Sequence, residues 1–291
     1  MKFTKFRILL IAVVCIFAIS SILVIPPLLN SGSESPNGTE DPTGNDEPNN
    51  NNEPTEADIQ TVIENAVDYL EVNCDPYGLL FLDAMYRRFG VAEFADAVER
   101  YDQTDTDTHP EGAALRIFRR IVDRDNQYRD GDLNALHIDI DLLTEPALYC
   151  DRFGLPEDYA EMIQSAVDTG DYLLTHALLS LIWIEENGCE VTLPEGFVEQ
   201  TYSDVADLIN YYPDMTPYLD LRVEAAAFLC LAGQSDLVEN DFVEYILETQ
   251  LIDGSWDNIN SERRWHTTVL ALILLLHVEN PSASYPPMLA Q

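Results

Sequence analysis

The sequence predicts an all-α protein, and three observations carry that expectation. Apolar residues recur at helical spacing through most of the chain after residue 55, and strand-like alternation is missing. Proline and glycine punctuate the periodic segments at intervals suited to helices: Pro54, Pro76, Gly90, Pro110, Gly131, Pro156, Gly170, Gly188, Pro194, Pro213, Pro217, Gly233 and Gly254. Amphipathic helices alternate with helices apolar around most of their circumference, and an all-round apolar helix belongs inside. Such alternation suggests outer and inner layers closing on a central cavity. The expected fold is therefore an α/α toroid of five to six helix pairs, preceded by one transmembrane helix and a disordered linker.

Taken in order, residues 1–30 read as a transmembrane anchor. Lys2, Lys5 and Arg7 form a basic flank, and Ile8 to Ile25 is an uncharged run. At ~1.5 Å per residue its eighteen residues span ~27 Å, about the hydrocarbon thickness of a bilayer. The run is long for a secretory signal core and no small-x-small cleavage site is clear, so it reads as an uncleaved anchor. The basic flank would stay cytoplasmic and the remainder would lie outside, at the cell membrane. Residues 31–55 lack large apolar side chains and read as a disordered acidic linker. Within it, Asn37-Gly38-Thr39 fits the N-glycosylation pattern. Residues 56–291 form one extracytoplasmic domain with room for a substantial core.

The expected helices of that domain are 56–73, 78–90, 91–102, 111–124, 135–152, 156–168, 171–187, 195–211, 217–233, 238–250 and 265–279. Those at 56–73, 156–168, 195–211 and 238–250 carry carboxylates on one face and belong outside. Those at 78–90, 171–187, 217–233 and 265–279 belong inside. His176, Arg222 and His266 each open an apolar helix at intervals of 46 and 44 residues. A period near that length suits helix, turn, helix, turn.

Charge excludes some functions. The chain carries 52 acidic against 15 basic side chains, a formal −37, with no lysine after Lys5. Such a chain repels nucleic acid and anionic lipid. The acids are scattered along the chain and not gathered in one tail, so they read as a solvated surface. A lysine-free acidic surface resembles those of extremely halophilic archaea, which implies adaptation to salt. Cys15 lies in the apolar run; Cys74, Cys150, Cys189 and Cys230 lie in the domain, where three pairings or free buried thiols remain open.

One segment carries a family likeness. Tyr245-Ile246, Gln250, Gly254 and Trp256 resemble the QW repeat of squalene cyclases and protein prenyltransferase β-subunits. In that repeat glutamine and tryptophan tie an outer helix to the turn leading inward. The resemblance implies the toroid and leaves the reaction open. The D-x-D-D acid of terpene cyclases is incomplete at Asp139-Ile140-Asp141-Leu142, and the prenyltransferase zinc set has no match. The Cys-His zinc dipeptide of lanthionine cyclases is absent too. No G-x-S-x-G, P-loop, dinucleotide or H-E-x-x-H pattern occurs.

Chemistry is expected at one rim. His109, His137, His176 and His266 stand at or just before apolar helices, so a ring of helices would gather them at one end of the cavity. A helix N-terminus disfavours imidazolium, and a neutral imidazole suits acid–base work or metal ligation. The expected catalytic residues are His176, His266 and Asp139. His137, His176 and His266 are the expected metal ligands, for a divalent ion such as zinc. Arg222, Glu224 and Trp265 are expected to touch substrate. The same residues read individually as caps or packing groups, and His277, ending its helix, reads as structural. Two functions follow: a metal-dependent hydrolase or lyase, or a non-catalytic cell-surface module binding a small molecule, glycan, peptide or protein partner.

Overall fold

The computed structural model describes residues 56–211 and 219–291. The chain divides into Met1–Asn50 and Asn51–Gln291, and the second unit holds every described residue. Among the described residues there are thirteen α-helices: α1 Glu56–Asn73, α2 Pro76–Phe89, α3 Ala97–Asp102, α4 Gly112–Phe118, α5 Asp132–Ala135, α6 Asp139–Leu148, α7 Cys150–Phe153, α8 Tyr159–Thr169, α9 Asp171–Glu186, α10 Phe197–Tyr211, α11 Leu219–Leu231, α12 Asn240–Glu248 and α13 Arg264–Glu279. Among the described residues there is no strand.

The expected architecture requires correction at its start. Among the described residues no helix is long and apolar enough to cross a membrane. The apolar run given that role, and the linker after it, fall at 1–55 and lie outside the described residues. Helix regularity also differs from expectation. The expected helices 91–102, 111–124 and 135–152 are instead short α-helical pieces, two of them joined to 3-10 turns. The last of the three holds Pro146, which denies the backbone a donor and precedes a break at Tyr149.

Packing links six helices into a closed circuit: α2 touches α4, α4 touches α6, α6 touches α9, α9 touches α11, α11 touches α13, and α13 returns to α2. Burial follows from sequence. Every residue of α11 is buried, and so is α13 from Thr267 to His277. These are the segments with the fewest surface-compatible side chains. The amphipathic α1, α8 and α10 lie against α13, α9 and α11 respectively.

The corner containing Gln250 and Trp256 closes the circuit between the two ends of the unit. Gln250 Nε2 donates to Val62 O at 2.8 Å and to Gly254 O at 3.1 Å, and Asn65 Nδ2 donates to Gln250 Oε1 at 3.2 Å. Trp256, wholly buried, donates from Nε1 to Ile246 O at 2.8 Å. Gly254 has φ +86°, and a Cβ there would stand 2.1 Å from Asn65 O. Only glycine lets α1 approach this turn.

The opposite ends of the inner helices are strapped by residues 286–290. Glu186 accepts from Met288 N at 2.7 Å and Leu289 N at 3.0 Å, while Arg87 donates to Met288 O at 2.9 Å. His277 belongs to this end. It is buried against Phe89 and Tyr285, and burial pushes its pKa down to about 4. Cys150 and Cys189 form a disulfide, whereas Cys74 and Cys230 are free thiols.

Candidate functional site

A cavity of about 490 Å³ opens among α2, α6, α9, α11, α13 and the loop before α13. Three stretches of sequence build its polar wall. In α9, Tyr172, Thr175 and His176 stand three and four residues apart and so share one face. The backbone enters that helix through left-handed conformations at Gly170 (φ 81°) and Asp171 (φ 47°), which aim its first turn. In α11, Asp220 and Glu224 lie one turn apart on one face. In α13, Trp265, His266 and Thr267 come from the first turn.

Their side chains form one connected network. Asp220 Oδ1 lies 3.0 Å from His266 Nδ1, accepts from Thr267 Oγ1 at 2.6 Å and accepts from Asn258 Nδ2 at 2.9 Å. Its Oδ2 accepts from the Tyr172 hydroxyl at 2.9 Å. Burial alone would raise the Asp220 carboxyl, but the His266 hydrogen bond and charge, with Thr267 and Tyr172, bring it down to about 2. Asp220 is thus ionised and can only accept, so His266 Nδ1 carries a hydrogen.

Glu224 is completely buried between two imidazoles. His176 Nδ1 lies 3.3 Å from its Oε1, and His266 Nε2 lies 3.8 Å from its Oε2. Thr175 Oγ1 donates to Oε1. Oε2 has no hydrogen-bond partner. His176 Nδ1 is also 2.8 Å from Tyr172 O, a carbonyl that can only accept, which fixes the ring hydrogen on Nδ1. Burial opposes charge on both rings, yet both pKa values are raised: Glu224 lifts His176, and Asp220 followed by Glu224 lifts His266.

A second group of acids faces the same cavity. Asp75 caps α2 by accepting from Gly78 N at 2.9 Å, Glu111 precedes α4, and Asp141 comes from the first turn of α6. Burial raises Asp75 and Asp141 and the Glu111 charge adds to both, against the backbone hydrogen bonds and Arg263 at Asp75 and the His176 charge at Asp141. Tyr77, Phe81, Phe118, Trp183 and Trp265 supply aromatic surface between the two polar walls.

The expected residues divide accordingly. His176, His266, Glu224 and Trp265 line this cavity. His137 and Asp139 are exposed and stand outside its lining. Asp139 opens α6 on the solvent side, and Asp141, two residues on, is the one that reaches inward. His109 also lies outside, accepting from Glu111 N at 3.1 Å. Arg222 does not face the cavity. It donates from Nε to Ile209 O at 2.7 Å, and its guanidinium lies 4.8 Å from the Phe242 ring centre and 5.1 Å from that of Tyr245. One residue of helix turns by ~100°, so a side chain midway between Asp220 and Glu224 points the other way.

The three-histidine ligand set is therefore not assembled. Among the described residues no group of three or more His, Cys, Asp or Glu side chains is arranged to hold a metal ion. Asp220, the hub of the network, was missed by sequence reasoning. The signal was there: two carboxylates four residues apart, in L-D-L-R-V-E-A-A-A-F, interrupt a helix that is otherwise almost wholly apolar. No family model matches this chain, and no curated protein and no solved structure matches it significantly.

Proposed function

We propose that this cavity is an acid–base site in which His176 and His266 act on a small organic molecule by hydrolysis or elimination. The observation that carries the reading is the sharing of one buried carboxylate, Glu224, by two imidazoles. In each ring Nδ1 is held by an oxygen acceptor. That leaves Nε2 of each ring as the reactive nitrogen, with Glu224 Oε2 standing 3.8 Å from that of His266 and beyond hydrogen-bond reach.

The electrostatics support a division of labour. His266 lies near two carboxylates and takes the first proton. Its charge then disfavours a second proton on His176. His176 is the base and His266 the acid. In hydrolysis His176 accepts a proton from the attacking water, and His266 gives its proton to the leaving group. In elimination His176 accepts a proton from carbon, and His266 again protonates the departing atom. The aromatic wall and the cavity volume suit a small, partly apolar substrate.

A panel of small esters, amides, glycosides and β-substituted carbonyl compounds tests this reading with the purified protein. His176→Gln and His266→Gln are each expected to lower turnover of any substrate found by about 10²–10⁴-fold, the usual worth of a positioned acid or base. Both variants should keep a cooperative melt, with a lower melting temperature in His266→Gln because Asp220 loses its imidazole partner. Turnover that survives both substitutions would sink the acid–base reading. Tight ligand binding with no turnover anywhere in the panel would favour the non-catalytic binding module.

A further inference from the structure

We propose that the ligand of this cavity is an organic cation, an ammonium compound whose charged nitrogen sits among Asp75, Glu111 and Asp141 while its apolar body lies on the aromatic wall. The inference rests on reading this cavity as the ligand site and adds the class of molecule that enters it.

Charge balance within the cavity is the starting point. Asp220 and Glu224 are each set against an imidazole. The acids of the other wall are matched more weakly: His176 acts on Asp141, and Arg263 on Asp75, through charge alone. Arg263 approaches Glu111 at 4.0 Å with most of its side chain in solvent. Among the described residues no arginine lies within ion-pair distance of Asp75 or Asp141, and the chain has no lysine after Lys5 to supply another cation. Five carboxylates, Asp75, Glu111, Asp141, Asp220 and Glu224, thus line one enclosure against one guanidinium, Arg263, and two imidazoles, His176 and His266. Partial burial of such a group is costly unless a cation enters. Asp75 and Asp141 respond in the expected direction, each being harder to ionise than a free aspartate.

Two further features point to a ligand and to its sign. Glu224 is completely buried, lines this same cavity, and keeps Oε2 without a hydrogen-bond partner. His266 Nε2 is 3.8 Å from it and beyond hydrogen-bond reach, and a buried carboxylate oxygen in the lining repels an anion. Tyr77 lines the same enclosure as these acids, and burial first, then the charges of Glu111, Asp141 and Asp75, raise its hydroxyl pKa. Phe81 and Trp265 line the same enclosure. Aromatic faces beside carboxylates attract a cation through the ring quadrupole and accept the hydrocarbon attached to it.

Three probes of one size separate charge from shape: phenethylammonium, 2-phenylethanol and phenylacetate. Binding is read by calorimetry or by ligand-observed NMR with the intact protein. The cation should bind about tenfold or more tightly than the alcohol, and the carboxylate should bind most weakly, because a like charge in the cavity is penalised. The preference for the cation should disappear in the Glu111→Gln/Asp141→Asn double variant and persist in His266→Gln. An alcohol that binds as tightly as the cation in the wild-type protein would overturn the proposal without need of any variant. So would a lack of binding by all three, or a cation preference that survives the double variant. The acid–base reading stands or falls separately, since the His266→Gln variant removes a proton donor and leaves the acidic wall intact.

Discussion

Asp220 holds the polar wall together, since its two oxygens serve four donors from α9, α13 and the loop between α12 and α13. Its effect on stability has a definite sign. The carboxyl is depressed from 3.8 to about 2. Its contribution is therefore complete above 3.8 and is lost as pH falls through about 2. His266 is raised above 6.5, so its contribution is complete below 6.5 and is lost as pH rises through the folded value. The pair stabilises the fold most between 3.8 and 6.5. Asp220→Asn should lower the His266 pKa and flatten the alkaline side of the stability profile. Histidine NMR titration alongside thermal melts checks both; an unmoved His266 would mean that Asp220 does not set its charge. At this scale the sequence was partly legible. His176 and His266, which a repeat of about 45 residues aligns, both line the cavity. His137 lies outside the lining because it precedes its helix on an exposed stretch, where spacing no longer dictates direction.

Among the elements, the turn from Leu251 to Trp256 joins α12, α13 and α1, and it tolerates little change. Gly254 combines a positive φ with a backbone carbonyl where a Cβ would go. Gly254→Ala should destabilise the protein by more than about 2 kcal/mol, because neither the strain nor the clash can be relieved at the end of a flexible side chain. Chemical denaturation measures this, and a loss under about 0.5 kcal/mol, ordinary for a surface site, would show that α1 does not depend on the approach. Long helices were legible here: α1, α8, α9, α10, α11 and α13 follow from apolar periodicity. The stretch from Val91 to Phe153 was not. Its short helices are held by tertiary partners such as Arg116 on Asp132 and Arg120 on Asp151, and local periodicity does not record those.

Across the whole molecule, charge dominates. A formal −37 on a chain with no lysine after Lys5 stores repulsion that salt relieves. The Debye length falls from ~10 Å at 0.1 M to ~3 Å at 1 M salt, so the melting temperature should climb steadily over that range. Sodium chloride and potassium chloride should act alike if screening is the cause. A melting temperature indifferent to salt would show that the acids are already balanced by local pairs. The all-α class was readable at this scale from periodicity alone. Which side chains meet in the cavity was not, because that depends on rotation of each helix about its own axis, as Arg222 demonstrates between two residues that point the other way.

The central claim is that Glu224 couples His176 and His266 into one acid–base unit. Its most direct test is a side-chain NMR titration of both imidazoles in the wild-type protein and in Glu224→Gln, a substitution that keeps shape and removes charge. Both rings should titrate above 6.5 in the wild type, and both should fall in the variant while its melt remains cooperative. Two imidazoles that titrate at the ordinary value in the wild type, or that ignore the loss of Glu224, would contradict it.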